Sequence, residues 1–598
     1  MLTNPGTKYA HGAAVGISLA LLSFFPLFLS VNHGRVFSAR ADLDLFVSPY
    51  FSIYVLALAA SLAMMLILAK TKDRTSHLLF LGGVMLVMSN YATFASTSIS
   101  SASPLALLAL TEPIHVGTAK YILTQGHLGE LHYYGWPQAF LYLAMLCSVL
   151  GFPDIGIAYG TFILSTVLQL LLMLTLYLLG NIFHGRGTIS VFLYYVCAFY
   201  FVAGGGGGLA GFSPQLFALP FFILYVILTY KRPGQDSLSL NALLLLLTFV
   251  IAFSHLVTAI LLTCFLLSAF LVQKITRSNT FGQLPTKILI IFVAVIAWLV
   301  YFVSFDFSAV LTPQGESSFL SFLTRFVLSS AVGHGNPYFA ATTWYINLLK
   351  FYRTWINIIA LLTGGLGFLV FVGTERNTRL RNLAAAIGFS LVGFAMFDVV
   401  FVRLFDTFWE RIFSLSYPFL MMFPLSLFGL MASRRIRSHT TLSLGHLARR
   451  GAIATAICML IVISFLASNV SLTIGYSSSE YETAVFLSAH YPNSTLGISQ
   501  QFYQVLKFAD PARAYWFDPL IYHDEYDTKY FATQLSYEPS LYTASIVART
   551  SREVAFYYAA FGIPYHEFWG KIDHSLTVQS AHDRVFDSTS EQIYVRLA

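Results

Sequence analysis

Apolar residues gather into long runs separated by short polar segments, and these runs frame the chain. Runs long enough, or nearly long enough, to cross a bilayer occur at about 11 to 30, 48 to 69, 78 to 97, 156 to 179, 188 to 204 and 211 to 230. They continue at about 239 to 254, 256 to 273, 286 to 305, 354 to 373, 382 to 402, 412 to 432 and 452 to 472. Against the roughly 20 apolar residues that a spanning helix needs, the pattern predicts about thirteen transmembrane helices. One further run, Trp136 to Gly151, is short: as a helix it extends about 24 Å, less than the ~30 Å hydrocarbon core.

Basic residues orient the runs, because cytoplasmic loops carry an excess of Lys and Arg. Lys70, Lys72 and Arg74, then Lys231 and Arg232, then Arg376, Arg379 and Arg381, then Arg434, Arg435 and Arg437 all lie in short loops. These loops share one side only if Trp136 to Gly151 is interfacial or re-entrant. The N-terminus is then cytoplasmic, and residues 98–155 form one long external loop with amphipathic helices of its own. The segment from about 306 to 353, the connection from Arg403 to Arg411 and the tail from about 473 are external as well.

The tail changes character. It is rich in Tyr, Asp, Ser and Glu, its runs STLGIS, SIVART and EQIYVRL read as strands, and SSEYETAVFLSAHY reads as a helix. The expectation is a small extracytoplasmic α/β domain behind an all-α polytopic membrane region. Asn469-Val470-Ser471 and Asn493-Ser494-Thr495 match the short N-glycosylation pattern and give weak support to an external tail.

Composition fits this frame. Of 598 residues, 57% are hydrophobic and only 10% charged, where soluble domains carry about 25% charged residues. The formal charge of +7 resides mostly in the loops that set orientation, so nucleic-acid binding gains no support. The cysteines Cys147, Cys197, Cys264 and Cys458 sit inside apolar runs without metal-ligand spacing and read as core residues. The first apolar run lacks a small-residue cleavage site and reads as a retained span.

One stretch stands out for its polar chemistry. TEPIHVGTAKYILTQGHLGELHYYGWPQ, residues 111–138, follows nearly a hundred residues dominated by apolar sequence, yet holds Glu112, His115 and Lys120. Glu112 and Pro113 suit the first turn of a helix, and Gly126 suits its end. On that helix Glu112, His115, Ala119 and Ile122 fall near one face. A carboxylate and an imidazole then point the same way, although helix capping by Glu112 and a merely interfacial His115 explain the spacing equally well.

The segment TEPIHVGTAKYILTQG resembles the first-loop signature of the GT-C superfamily of membrane glycosyltransferases: an acid, an aromatic or His, an Ala-containing helix, then Gly. WPQAFLYLAMLCSVLG is similar to the aromatic-Pro surface helix that follows in these enzymes. His255-Leu256-Val257-Thr258, Trp409-Glu410-Arg411 and the tail motif DRVFDSTSEQIYVRL extend the resemblance along most of the chain from about residue 78. By spacing from His115, the family's usual Asp falls on Thr111, with Glu112 one residue later. No WWD-type motif is present, which argues against an oligosaccharyltransferase catalytic subunit.

The resemblance implies a GT-C-like core over 78–472, preceded by two additional N-terminal transmembrane helices over 1–77 and followed by the external domain over 473–598. It implies inverting transfer of a sugar from a polyprenyl-phosphate-linked donor to a hydroxyl of a glycan, lipid or protein acceptor, at the outer face of the cell membrane. Glu112 with His115 is then the expected catalytic pair. Arg403, Arg411, His255 and His334 are the expected substrate-binding residues, with Arg411 on the phosphate.

Each of these has a plainer reading. Arg403 and Arg411 border spans and serve equally as membrane anchors. His255, between two apolar helices, equally serves as a structural hydrogen-bonding group. His334 lies in a Gly-, Pro- and aromatic-containing loop with Lys350 and Arg353, which suits either a substrate flap or interfacial anchoring. Asp42 and Asp44 have a spacing that can hold a divalent cation, though a solvated loop is the simpler reading. No protein metal site and no organic cofactor is implied, and a cation requirement stays open. Gly204 to Gly208 lacks phosphate-loop context and reads as a flexible turn. The rival classes are a lipid-linked glycan transporter or flippase, and a catalytically inactive GT-C-like scaffold.

Overall fold

The computed structural model describes residues 113–127, 137–184, 212–231, 238–282, 284–306, 362–401, 415, 419–420, 422–423, 478–491, 496–497, 500–510, 546–550, 582–587 and 591–596. Asp42, Asp44, Glu112, Gly204 to Gly208, His334, Lys350, Arg353, Arg403, Arg411, Asn469 and Asn493 lie outside the described residues, as do the spans expected before residue 98.

Helix α1 runs from Pro113 to Gln125. Pro113 starts it where a missing amide costs nothing. Gly126 ends it at φ +73°, its amide donating to Ile122 O at 2.9 Å. Only glycine takes that left-handed conformation without steric cost. Val116, Gly117, Thr118, Ala119 and Lys120 are all buried in succession, so the helix is covered on several faces rather than floating at a surface.

Helix α2, Pro137–Leu150, is the short apolar run. Its 14 residues make a rod of about 21 Å. Gly151 at φ +68° closes it, with Phe152 N donating to Cys147 O at 2.9 Å and Gly151 N to Ser148 O at 3.4 Å, the paired bonds of a Schellman cap. Ala139, Phe140, Leu143, Ala144 and Cys147 are buried at three- and four-residue spacing. Tyr142, Met145 and Val149 on the opposite face are exposed.

A 3-10 turn, Asp154–Gly156, leads into α3, Ile157–His184. Gly160 lets α2 and α3 approach closely, since a Cβ there would overlap Cys147 Sγ. Helices α4 (Pro214–Lys231), α5 (Leu238–Ser254), α6 (Leu256–Thr276), α7 (Leu284–Asp306), α8 (Leu362–Thr374) and α9 (Thr378–Phe401) complete the described helical core. Among the described residues, Asp154–His184, Pro214–Lys231 and Val257–Thr276 are long and apolar enough to cross a membrane. Helices α3 and α4 pack together, α5 and α6 pack on α4, and α9 lies along α6. Outward apolar residues such as Leu246, Phe249, Leu289, Phe292, Val392 and Met396 are exposed, as expected of surfaces that meet hydrocarbon rather than water.

One end of this bundle gathers aromatic and basic residues. At the end of α3, Phe183 packs with Phe371 at 5.5 Å and Phe423 at 5.2 Å between ring centroids. At the end of α4, Arg379 donates to Tyr230 O at 3.0 Å and lies over the Tyr230 ring at 5.2 Å. Beside them, buried Asn382 shares its amide among Thr276 Oγ1, Ser278 Oγ and Thr280 Oγ1 at 3.1, 2.7 and 3.1 Å, pinning the turn after α6 to α9. Lys231, Arg277, Arg376, Arg379 and Arg381 all fall on or next to these chain segments.

The tail contributes α10 (Ser478–His490), α11 (Gln500–Ala509) and strands β1 (Leu496–Gly497), β2 (Ile546–Thr550), β3 (His582–Asp587) and β4 (Glu591–Arg596). They form one sheet in the order β1-β2-β4-β3. Strand β1 runs parallel to β2, with Gly497 opposite Val547, and the other neighbours are antiparallel, with Val547 opposite Tyr594. Helix α11 buries Phe502, Val505, Leu506 and Phe508, an apolar stripe at helical spacing. That helix packs on α10 and also on α1, so the tail meets the segment that follows Glu112.

Candidate functional site

The described part of the site is built on α1, α2, the Asp154 turn and the two tail helices. Helix α1 begins at Pro113, so Glu112 immediately precedes the positive end of a helix. His115, in the first turn, is partly buried and stacks on Phe140 of α2 at 5.8 Å and 25°. Ala119 and Ile122, expected on the same face, are buried with it. The His115 face is thus set against α2.

His255 is 4% exposed and sits alone between α5 and α6 with extended backbone, φ −161° and ψ 110°. Its Nδ1 accepts from Thr258 N at 3.3 Å and contacts Thr258 Oγ1 at 2.8 Å. The imidazole is therefore the N-cap of α6, doing for the first-turn amide what a Ser or Asp side chain does elsewhere. Of the six expected catalytic and substrate-binding residues, His115 and His255 are described, each in its own packing environment.

A cluster missed at the sequence level lies farther along α1. The Lys120 ammonium pairs with Asp154 Oδ1 at 2.6 Å, with side-chain exposures of 10% and 60% for the two residues. It donates to Tyr481 Oη at 3.1 Å and to the Ala509 carbonyl at 3.4 Å. Tyr481 Oη donates in turn to Asp154 Oδ1 at 3.1 Å. The ammonium also sits 5.4 Å from the Tyr481 ring centroid and 5.1 Å from that of Phe508, within cation–π range.

Burial pushes the Tyr481 phenol up against the lowering pull of Lys120, so it stays a neutral donor. Asp154 takes φ +48°, a left-handed conformation that Asp tolerates better than most residues. One signal for the cluster was present in the sequence: a lone Lys inside a buried apolar helix needs a counter-charge. Its partners, 34 and 361 residues away in the chain, carry no local mark. Among the described residues, no three His, Cys, Asp or Glu side chains converge to hold a metal ion.

No family model and no curated protein matches the sequence. Among solved structures, the chain is similar to the oligosaccharyltransferase of Archaeoglobus fulgidus tethered with an acceptor peptide. The identity is 12% and the TM-score 0.42, over 87% of this chain and 74% of that one. It is similar to AglB of the same organism in complex with an inhibitory peptide and a dolichol-phosphate, at 12% identity and TM-score 0.41, with coverages of 87% and 74%. It is likewise similar to ArnT from Cupriavidus metallidurans bound to undecaprenyl phosphate, at 10% identity and TM-score 0.39, with coverages of 88% and 99%.

Proposed function

We propose that this protein is a multi-pass membrane glycosyltransferase, moving a sugar from a polyprenyl-phosphate-linked donor to an acceptor hydroxyl at the outer face of the membrane. The Glu112 carboxylate takes the acceptor proton as the acceptor oxygen attacks the anomeric carbon. The bond from that carbon to the phosphate oxygen breaks, configuration inverts, and polyprenyl phosphate leaves. Arg411, with Arg403, stabilises the negative charge that grows on the leaving phosphate. His334 belongs to the external loop that covers the sugar, and His255 shapes the helix turn nearby. The prenyl chain occupies a groove between helices, so a lipid-bearing donor needs a site at the bilayer surface.

What carries this reading is the placement of α1. The helix that follows Glu112 is pinned through Lys120 to Asp154, at the start of a membrane-length helix, with tail helices α10 and α11 packed over it. These contacts support a site beside the start of α1, where a membrane surface would meet a water-facing tail.

The same contacts support the orientation. Lys120 precedes α2 and Asp154 follows it, yet the two are ion-paired, which favours an α2 that re-enters without crossing. Asp154 also bonds Tyr481, so an even number of crossings must separate them. The ten apolar runs between about 156 and 472 satisfy this. The basic segments around Lys231, Arg277 and Arg379 belong to the other end of the bundle, which supports a cytoplasmic assignment there and an extracytoplasmic tail.

Sugar transfer from polyprenyl-phosphate donors in proteoliposomes, comparing wild type with Glu112→Gln, tests the reading. We expect transfer by wild type and a loss of at least a hundredfold in the variant. Full transfer by Glu112→Gln removes Glu112 as the base. No transfer by wild type to any acceptor, with lipid-linked glycan still moved across the bilayer, points to a flippase. Repeating the assay with EDTA reads any divalent-cation requirement.

A further inference from the structure

We propose that Lys120, Asp154 and Tyr481 form a latch through which the C-terminal tail positions helix α1, the helix that follows Glu112 in the chain, making them positioning residues for sugar transfer. This rests on the glycosyltransferase reading above.

Three separate chain segments converge on one ammonium: the turn before α3 supplies Asp154, α10 supplies Tyr481, and α11 supplies the Ala509 carbonyl and the Phe508 ring. An apolar side chain at position 120 would fill a buried site at lower desolvation cost. Apolar packing is also non-directional, leaving a helix free to turn or slide by small amounts. A charge held at 2.6 Å and two hydrogen bonds fix both rotation and register.

Pro113, the neighbour of Glu112 in the chain, is seven residues before Lys120, about 10 Å along the helix axis. Over two turns an α-helix is stiff, so rotation at Lys120 is passed on to the first turn, where His115 stacks on Phe140. A displacement of about 1 Å at reacting groups costs up to about a hundredfold in rate. The latch therefore has a lever on catalysis without touching substrate. Asp154 is 60% exposed, so water competes for the carboxylate and the tail can lift from α1 without breaking the membrane core.

The test uses the full chain in proteoliposomes with Tyr481→Phe and Lys120→Met. The first removes one hydroxyl and keeps the ring, and the second keeps the side-chain volume and removes the charge. For each we would measure kcat per folded molecule, KM for donor and acceptor, and the rate at which an added protease releases the tail. We expect kcat to fall about tenfold for Tyr481→Phe and more for Lys120→Met, with both KM values within about twofold of wild type and tail release faster. A merely structural role would reduce the folded fraction and leave kcat per folded molecule unchanged. Unchanged kcat with faster tail release overturns the proposal, as does unchanged tail release. Inactive wild type appears before any variant is compared; it overturns the glycosyltransferase reading and takes the positioning role with it.

Discussion

Lys120 and Asp154 form an ion pair of unequal halves: the ammonium is 10% exposed and the carboxylate 60% exposed, with 2.6 Å between them. The buried partner depends on the pair, while the exposed one retains water. Because the two residues flank α2, the pair also ties together the ends of a segment whose sequence alone leaves two topologies open.

Their inequality predicts an order of stabilities. Asp154→Asn leaves a buried ammonium without counter-charge and should cost about 2–4 kcal/mol, toward the range for a broken buried pair. Lys120→Met leaves a carboxylate that water solvates and should cost about 1 kcal/mol or less. Thermal unfolding of the purified variants checks this, and a larger loss for Lys120→Met would refute the assignment of the buried partner.

The contact between Gly160 and Cys147 predicts a coupled pair. Gly160→Ala puts a methyl group into Cys147 Sγ and should cost about 1–3 kcal/mol by overpacking. Cys147→Ala in the same chain removes the obstructing sulfur and should recover much of that loss. A double-mutant cycle reads the coupling, and strict additivity would show that the helices separate at no cost.

Tyr481 predicts an alkaline limb. Its folded pKa is raised by burial, so its contribution to docking is complete below the unfolded tyrosine pKa of about 10. The contribution is lost as pH rises through the raised folded value. Tail release by protease should therefore accelerate above about pH 10 in wild type, and this tyrosine-dependent part of the rise should be missing from Tyr481→Phe. Identical profiles for the two proteins would exclude Tyr481 as the titrating group.

Topology is read by labelling. With the native cysteines replaced, single cysteines at exposed His127 and His490 should react with an impermeant maleimide from one side of the membrane. Those at exposed Arg277 and Arg376 should react from the other side. Labelling of His127→Cys and Arg376→Cys from the same side would be incompatible with the proposed orientation.

Much of the local structure was legible. Pro113 and Gly126 bracket α1, and Gly151 closes α2, because a ring-fixed φ and a left-handed glycine are local requirements. SSEYETAVFLSAHY contains α10, and strands fall within STLGIS, SIVART and EQIYVRL. Strand β3 and helix α11 were not read. Helix α11 interrupts its apolar residues with Gln500, Gln501, Gln504 and Lys507, and its stripe of Phe502, Val505, Leu506 and Phe508 acquires meaning only against α10 and α1. His255 stood out as a polar residue between apolar helices, but whether it served a ligand or a helix end depended on the geometry of its Nδ1 against Thr258, which spacing does not give.

The sequence by itself determined where helices begin and end, which segments are apolar enough for a bilayer, and which loops carry the orienting charge. These depend on side-chain chemistry and backbone preference within a few residues. The tertiary structure decided which charge meets which. Lys120 finds Asp154 beyond an intervening helix and Tyr481 361 residues away, and no periodicity encodes such a pairing. A buried ammonium demands compensation wherever the fold can bring it, so the sequence announces the demand and only the packed chain names the residues that meet it.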